Sequence, residues 1–516
     1  MKFITKLMAT VFSLFFVFSA AACQWTTGNL NNNNFEGGGE INDTRDRSDW
    51  VLRERADVSE FSDKVLNIKF YNGGYGRAWL DEMEKKFESE YPGVDIRLTA
   101  STNSSDFTTL LEDELKGDPY DIYICHDISW ERLGGVEHLL ADLTTDLYDA
   151  VIYTDPTPEE GESGEIRFRD LLSTSSLSSS YFNGKAYKVA QVQGAGGILY
   201  NKTMFDQYGW EKPETYEELV ALCEQICEDT NETVAPFLVA GSEGYLWDSL
   251  VYDWWIQIAG EDEFNRMLEG NDKNCWNPAK YPYHKQAYEY WYNLFVVNQD
   301  RYLLDGFEGI DNIMANAAFT AGLAAMMPAT AWAVNEIGAD VLEEANIDVG
   351  LIPTPYVKEA KKDENGNFIR VSYDVAGRDS IVVAEKGNKS LAIEFLKWMS
   401  ETENTLIFPK NVSGMLMGFR YDIQAMLNDK ETYVKLSWDE DMLRLLGETS
   451  FRSTGYSSNP MFILKYVSTY PIENYYLKCF TTYGTASQIT PNTVFNTAWA
   501  EVDKKWDEWR FQAGLE

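Results

Sequence analysis

The chain has 516 residues, with 82 Asp and Glu against 44 Lys and Arg and a formal charge of −38. A body this acidic does not bind nucleic acid or anionic lipid through its net charge. Six sparsely spaced cysteines indicate neither a disulfide framework nor a zinc site, whereas 16 Trp, 30 Tyr and 27 Phe exceed what a core needs to close, so some rings are expected on a binding surface.

In chain order, Lys2 and Lys6 precede an apolar run over 7–18 and the small residues Ala20, Ala21 and Ala22, the layout of a secretory signal over 1–22. The run falls short of the roughly 20 apolar residues a spanning helix needs. Small residues directly before Cys23 resemble the bacterial lipobox, with Ala20 where leucine is usual. That implies an acylated Cys23 as the membrane anchor, an incidental cysteine being the alternative. The stretch "QWTTGNLNNNNFEGGGEINDTRDRSDW" is dense in Asn, Gly and Asp, so residues 23–63 are expected to be a disordered tether.

Residues 65–71 alternate like a strand, and 77–91 follow as a helix with Leu80, Met83, Phe87 and Tyr91 on one face, ended by Pro92-Gly93. A strand is expected at 94–98, a helix with Phe107, Leu110, Leu111 and Leu115 on one face, and a strand at 120–124. This β-α-β-α-β order means a parallel sheet with right-handed crossovers, and such sheets bind ligands at the carboxyl ends of their strands. The loops "NGGYG" at 72–76 and "CHDISW" at 125–130 are therefore the places to look. Cys223 and Cys227, one helical turn apart, are expected to pack as small hydrophobes. Residues 313–334 lack charge, but Asn316, Gly322 and Pro328 argue against a membrane span.

Five blocks carry a resemblance: "IKFYNGGYGRAWLDEMEKKFESEYPGVDIRL", "DIYICHD", "GGILYNKTMFDQYGWEKPETYEELVALCEQI", "FTAGLAAMMPATAWAVNEI" and "DSIVVAEKGNKSLAIEFLKWMSETEN". In this order they resemble the extracellular solute-binding proteins of sugar-importing ABC transporters, the maltose-binding family. The resemblance implies an α/β, two-lobed periplasmic-binding-protein-like (type II) fold with a hinge and a ligand cleft between the lobes. The first lobe would be 64–175 with 376–450, and the second 176–375 with 451–516. Asn72, Gly73 and Tyr75 match a loop that touches sugar hydroxyls. His126 and Asp127 match a His-Asp pair whose aspartate bonds sugar, although Ile128 stands where the family has arginine. Glu243 and Tyr245, with Trp247 nearby, match a segment that supplies a glutamate and a stacking tyrosine. In "AAMMPATAW", 324–327 would be a buried strand ended by Pro328, and Trp332 the sugar platform. Arg378 lies in a glycine turn resembling a ligand-facing one. Beyond about residue 420 the match thins, with Tyr456 and Phe462 as candidate contacts.

A secreted glycoside hydrolase would work with paired carboxylates, but with 82 acids any two prove nothing. "AGSEG" misses the nucleophile elbow at its first position, and "GGYGRAW" misses the dinucleotide fingerprint at Trp79. His126, His138 and His284 show no metal spacing. The expectation is thus a non-enzymatic, monomeric receptor without cofactor, anchored by lipid and bound to no nucleic acid, that closes its lobes on a sugar or oligosaccharide and delivers it to an ABC permease. The alternatives are the hydrolase or a receptor for a peptide or polyamine.

Overall fold

The computed structural model describes residues 41–103, 105–108, 110–126, 128–158, 163–242, 248–329, 331–373, 379–453, 490–512 and 515. Cys23, Asp127, Glu243, Tyr245, Trp247, Arg378, Tyr456 and Phe462 lie outside the described residues.

Two main sheets organise the chain. Their strands are β1 (Val65–Tyr71), β2 (Asp95–Ser101), β3 (Ile122–His126), β4 (Val189–Ala190), β5 (Gly197–Asn201), β6 (Ala235–Phe237), β7 (Ala324–Ala329), β8 (Val349–Pro353) and β9 (Asp379–Val383). The first sheet has the order β2-β1-β3-β9-β4 and the second β6-β7-β5-β8. Five helices matter below: α1 (Ala78–Glu90), α2 (Asn312–Thr320), α3 (Ala333–Ile337), α4 (Ala339–Glu344) and α5 (Ser437–Glu448).

The expected β-α-β-α-β unit is present, with β1 parallel to both β2 and β3. Leu66, Ile68 and Phe70 of β1 are buried, as are Leu80, Met83 and Phe87 of α1, each large side chain contributing about 1.5–3 kcal/mol of burial. Gly93, at φ 97°, reverses the chain after α1. The second expected helix is two short ones, Ser105–Thr108 and Leu111–Lys116, with Leu110 between them 49% exposed. Phe107, Leu111 and Leu115 still reach the core, and the break turns Leu110 away from it. Cys223 and Cys227 are buried and free.

Strand β9 returns from more than 250 residues downstream to pair antiparallel with β3, and β4 pairs with β9. The expected lobe boundary at 175/176 therefore comes too early, because β4 completes the first sheet before the chain crosses to β5. Within the block 376–450, α5 packs on the second sheet, where the Asp441 carboxylate accepts from the Leu351 N–H at 2.9 Å.

Pro328 does not end its strand. It pairs with Ile198 of β5, and β7 runs on to Ala329. The neighbour on the other side, β6, pairs no further than Met326, so Pro328 occupies a free edge where its missing N–H costs nothing. The uncharged run divides into α2 and β7, and among the described residues no helix is long and apolar enough to cross a membrane.

The polar segment 41–63, expected to belong to the tether, is packed on the body instead. Ile41 is buried, Asp43 N–H donates to Tyr421 O at 2.7 Å, and Val51–Leu52 pairs with Val151–Thr154. Its charges find partners far along the chain: Arg53 meets Glu394 at 2.7 Å, and Arg55 bridges Glu90 and Glu401. Burial alone would raise the Asp43 carboxyl, but hydrogen bonds and charge from Arg45 and Arg47 outweigh it and hold the group well below the usual carboxylate range.

Candidate functional site

The carboxyl end of β1 delivers the loop 72–76 to the gap between the two sheets. Asn72 N–H donates to Ser101 O at 2.8 Å, and a turn closes from Gly76 N–H to Gly73 O at 3.0 Å with Gly76 at φ 59°. Two glycines are demanded by close approach. A Cβ on Gly73 would lie 2.4 Å from the Tyr71 ring, and one on Gly74 would lie 2.9 Å from Glu336 Cγ and 3.3 Å from Trp332 Cβ. The backbone of the first lobe thus rests directly on α3 of the second. Gly74→Val is expected to hold the lobes apart, raising the radius of gyration in X-ray scattering and weakening ligand binding at least tenfold, about 1.4 kcal/mol. Unchanged scattering and affinity would show that this contact has no part in closure.

The register of β3 against β9 sets Asp379 opposite His126, and their side chains meet, with His126 Nδ1 2.5 Å from Asp379 Oδ1. The Tyr75 hydroxyl donates to the other Asp379 oxygen. Asp379 is buried, so the low-dielectric surroundings strengthen both contacts. The His126 ring stacks on Tyr71 with centroids 6.0 Å apart. Across the gap, Trp332 is the N-cap of α3 and is partly buried, with Glu336 one turn later. Asn312 Nδ2 donates to Glu336 Oε2 at 3.5 Å. Asn335 fixes α3 by a reciprocal pair with the Ser413 backbone, at 2.9 and 2.8 Å.

Glu336 is wetted, yet it stands in a concavity. The resulting desolvation raises its carboxyl above the usual range, opposed by hydrogen bonds from Asn312 and Asn316 and by the charge of His126. Tyr71 is raised by burial first, then by Glu336 and Asp379. Tyr71 and His126 of one lobe thus lie within electrostatic reach of Glu336 of the other. Beside them a groove of about 580 Å³ runs between Gly73, Gly74 and Gly76 and helices α2 to α4.

The residues expected in the first-lobe wall, Asn72, Gly73, Tyr75 and His126, come together at one end of the sheet, and the Cβ of Trp332 approaches Gly74 of the same loop. Tyr75 differs from expectation in its orientation: its hydroxyl is committed to Asp379 and its ring packs on Phe408, centroids 6.1 Å apart, so it supports the wall. The sequence reading does not single out Asp379 or Glu336. An acid opening the buried run "DSIVV", and another four places after Trp332 at the end of a charge-free stretch, are the signals that could have found them. Carboxylates that accept, imidazole and amides that donate, and an indole at the gap suit a hydroxyl-rich ligand with an apolar face. Among the described residues no His, Cys, Asp or Glu cluster could hold a metal.

Comparison with known proteins points the same way. The family of bacterial extracellular solute-binding proteins matches residues 72–405. The chain is 24% identical over 319 residues to the multiple sugar-binding protein of Streptococcus mutans, covering 60% of this chain and 66% of that one. It is 24% identical over 220 residues to the diacetylchitobiose binding protein NgcE of Streptomyces coelicolor, covering 42% of each. The chain therefore spans about two thirds or less of the curated relatives it matches. The GacH receptor of Streptomyces glaucescens, solved unliganded and with acarbose, shares the fold with a TM-score of 0.60 at 16% identity, covering 86% of this chain and 99% of that one.

Proposed function

The chain belongs to the bacterial extracellular solute-binding protein family, and from that premise we propose that it is a receptor that captures a sugar or oligosaccharide by lobe closure and hands it to an ABC import permease. The observation that carries this reading is the close approach of Trp332 and Glu336 to the Gly73-Gly74 turn, next to the paired His126 and Asp379. Relatives named for multiple sugars and for diacetylchitobiose support a saccharide over a peptide or polyamine. Ligand contacts are assigned to Asn72, Gly73, His126 and Trp332, joined by Glu336. Because a ligand bridges both walls only when they are close, its differential affinity shifts the population to the closed form. Cys23 at the exit of the apolar leader supports a lipid anchor on the extracellular face. The high negative charge supports a monomer.

The test is a thermal-shift screen against oligosaccharides, amino acids, peptides and polyamines, with each sample checked for shortened products. A ligand at 100 times its dissociation constant adds about 2.7 kcal/mol, a readable rise in melting temperature. Stabilisation by an oligosaccharide without turnover is the expected result. Turnover would make the protein a glycosidase, and a shift with peptides or polyamines alone would keep the fold and reject the sugar.

A further inference from the structure

The chain returns to the first sheet between the strand Val371–Tyr373 and β9, which opens on Asp379. Five residues, 374–378, join Tyr373 to Asp379, a span of at most about 20–22 Å at full extension. On the first-lobe side this crossover ends on a buried carboxylate, Asp379, held through His126 and Tyr75. The other side carries a buried carboxylate too, one that the ligand wall does not use. Asp253, 1% exposed on the helix Asp248–Ala259, accepts from the Tyr373 N–H with Oδ1 and from the Thr354 hydroxyl with Oδ2, both at 2.5 Å.

Tyr373 is gripped twice by that helix. Beside the bond to its N–H, its ring lies parallel to the ring of Tyr252, the residue before Asp253, with centroids 4.3 Å apart and planes within 13°. Thr354 follows directly on β8, so the Asp253 carboxylate ties the end of the strand to the second sheet. The same helix secures the next residues: Trp254 Nε1 donates to Pro355 O at 2.9 Å, and Gln257 Oε1 accepts from the Val357 N–H at 3.1 Å. A carboxylate at this depth is costly unless hydrogen-bonded, and its two acceptor oxygens meet donors from two separate segments at once.

Hinges are short stretches at the ends of elements that absorb the change in backbone angle, and a rotation keeps one axis only where the chain on either side of the stretch is fixed. We infer that Asp253 is a positioning residue for lobe closure: with Asp379 it holds the two ends of one interlobe crossover, so that the walls meet in a single register. It acts through Tyr373 and touches no ligand. The inference rests on the receptor reading, in which closure is the working motion.

The hinge can be measured without a ligand. Spin labels carried by unnatural amino acids at Leu110 of the first lobe and Leu323 of the second, 49% and 44% exposed, report the interlobe distance in the full-length protein by pulsed electron resonance. Asp253→Ala is expected to broaden the distance distribution at least twofold, well below the melting temperature. Asp253→Asn is expected to restore the wild-type width, because its amide oxygen accepts from the Tyr373 N–H while its NH₂ donates to the Thr354 hydroxyl oxygen. A lower melting temperature with unchanged width in Asp253→Ala would make the residue a stabiliser only and overturn the inference. Equal broadening in both variants would also overturn it, since the effect would then belong to the charge rather than to the hold on Tyr373. Should Asp253→Ala fail to fold, Tyr252→Leu takes its place, removing the ring stack from a partly buried position and leaving the carboxylate. A broadened distribution is again expected, and a wild-type width overturns the inference. A thermal-shift screen in which no oligosaccharide stabilises the wild type would remove the receptor reading, while the distances would still decide whether Asp253 fixes the hinge.

Discussion

Acidification from pH 7 to pH 5 is expected to cost the protein about 2 kcal/mol through His284 alone, and His284→Phe is expected to abolish that loss. The imidazole is buried and lies flat on Trp255 with ring centroids 3.7 Å apart and planes within 3°, while Phe495 meets it edge-on at 4.8 Å. Desolvation in this aromatic stack pulls its pKa from 6.5 down to about 3. In the unfolded chain the ring takes a proton near pH 6.5, whereas in the folded chain it stays neutral until about pH 3. The unfolded state therefore binds more protons throughout that window, so stability is full above pH 6.5 and falls as pH drops through the folded value. By pH 3 the total is on the order of 5 kcal/mol. Melting temperatures by calorimetry at pH 7, 5.5 and 4 read this out. His284→Phe keeps an aromatic in the stack and removes the titration, so its curve should be flatter across the same interval. An identical acid slope in wild type and variant would place the lability elsewhere.

The second large effect is on binding. Asp379→Asn is expected to lower sugar affinity ten- to a hundredfold in titration calorimetry, about 1.4–3 kcal/mol, with a smaller fall in stability. The carboxylate accepts from the Tyr75 hydroxyl with one oxygen and meets His126 with the other. An amide supplies only one acceptor, so one of the two partners loses its bond inside a buried cluster, and the imidazole that forms the wall is no longer held in orientation. Affinity unchanged while the melting temperature falls would show that the cluster only braces the sheet.

Features that depend on near neighbours are legible in the residues alone. Strand β1 occupies residues 65–71 as its alternation implies, and α1 buries the predicted Leu80, Met83 and Phe87 because a helix repeats its face every three or four residues. The order of motifs was enough to indicate the family and its two-lobed fold. The tertiary structure decided what depends on pairing across long loops. Asp379 lies 253 residues from His126, and only the antiparallel insertion of β9 beside β3 makes them partners. The segment 41–55 reads as tether because its apolar content is too low to fold alone. Its Arg53 and Arg55 pair with Glu394 and Glu401, some 340 residues away, which no local pattern records. The exposed face of α2 is likewise invisible in its own residues: an uncharged helix reads as core or membrane until the fold leaves one side of it open. Local periodicity fixes which face of an element is apolar, and only the packing of distant elements decides whether that face is buried, shared with a ligand or left exposed.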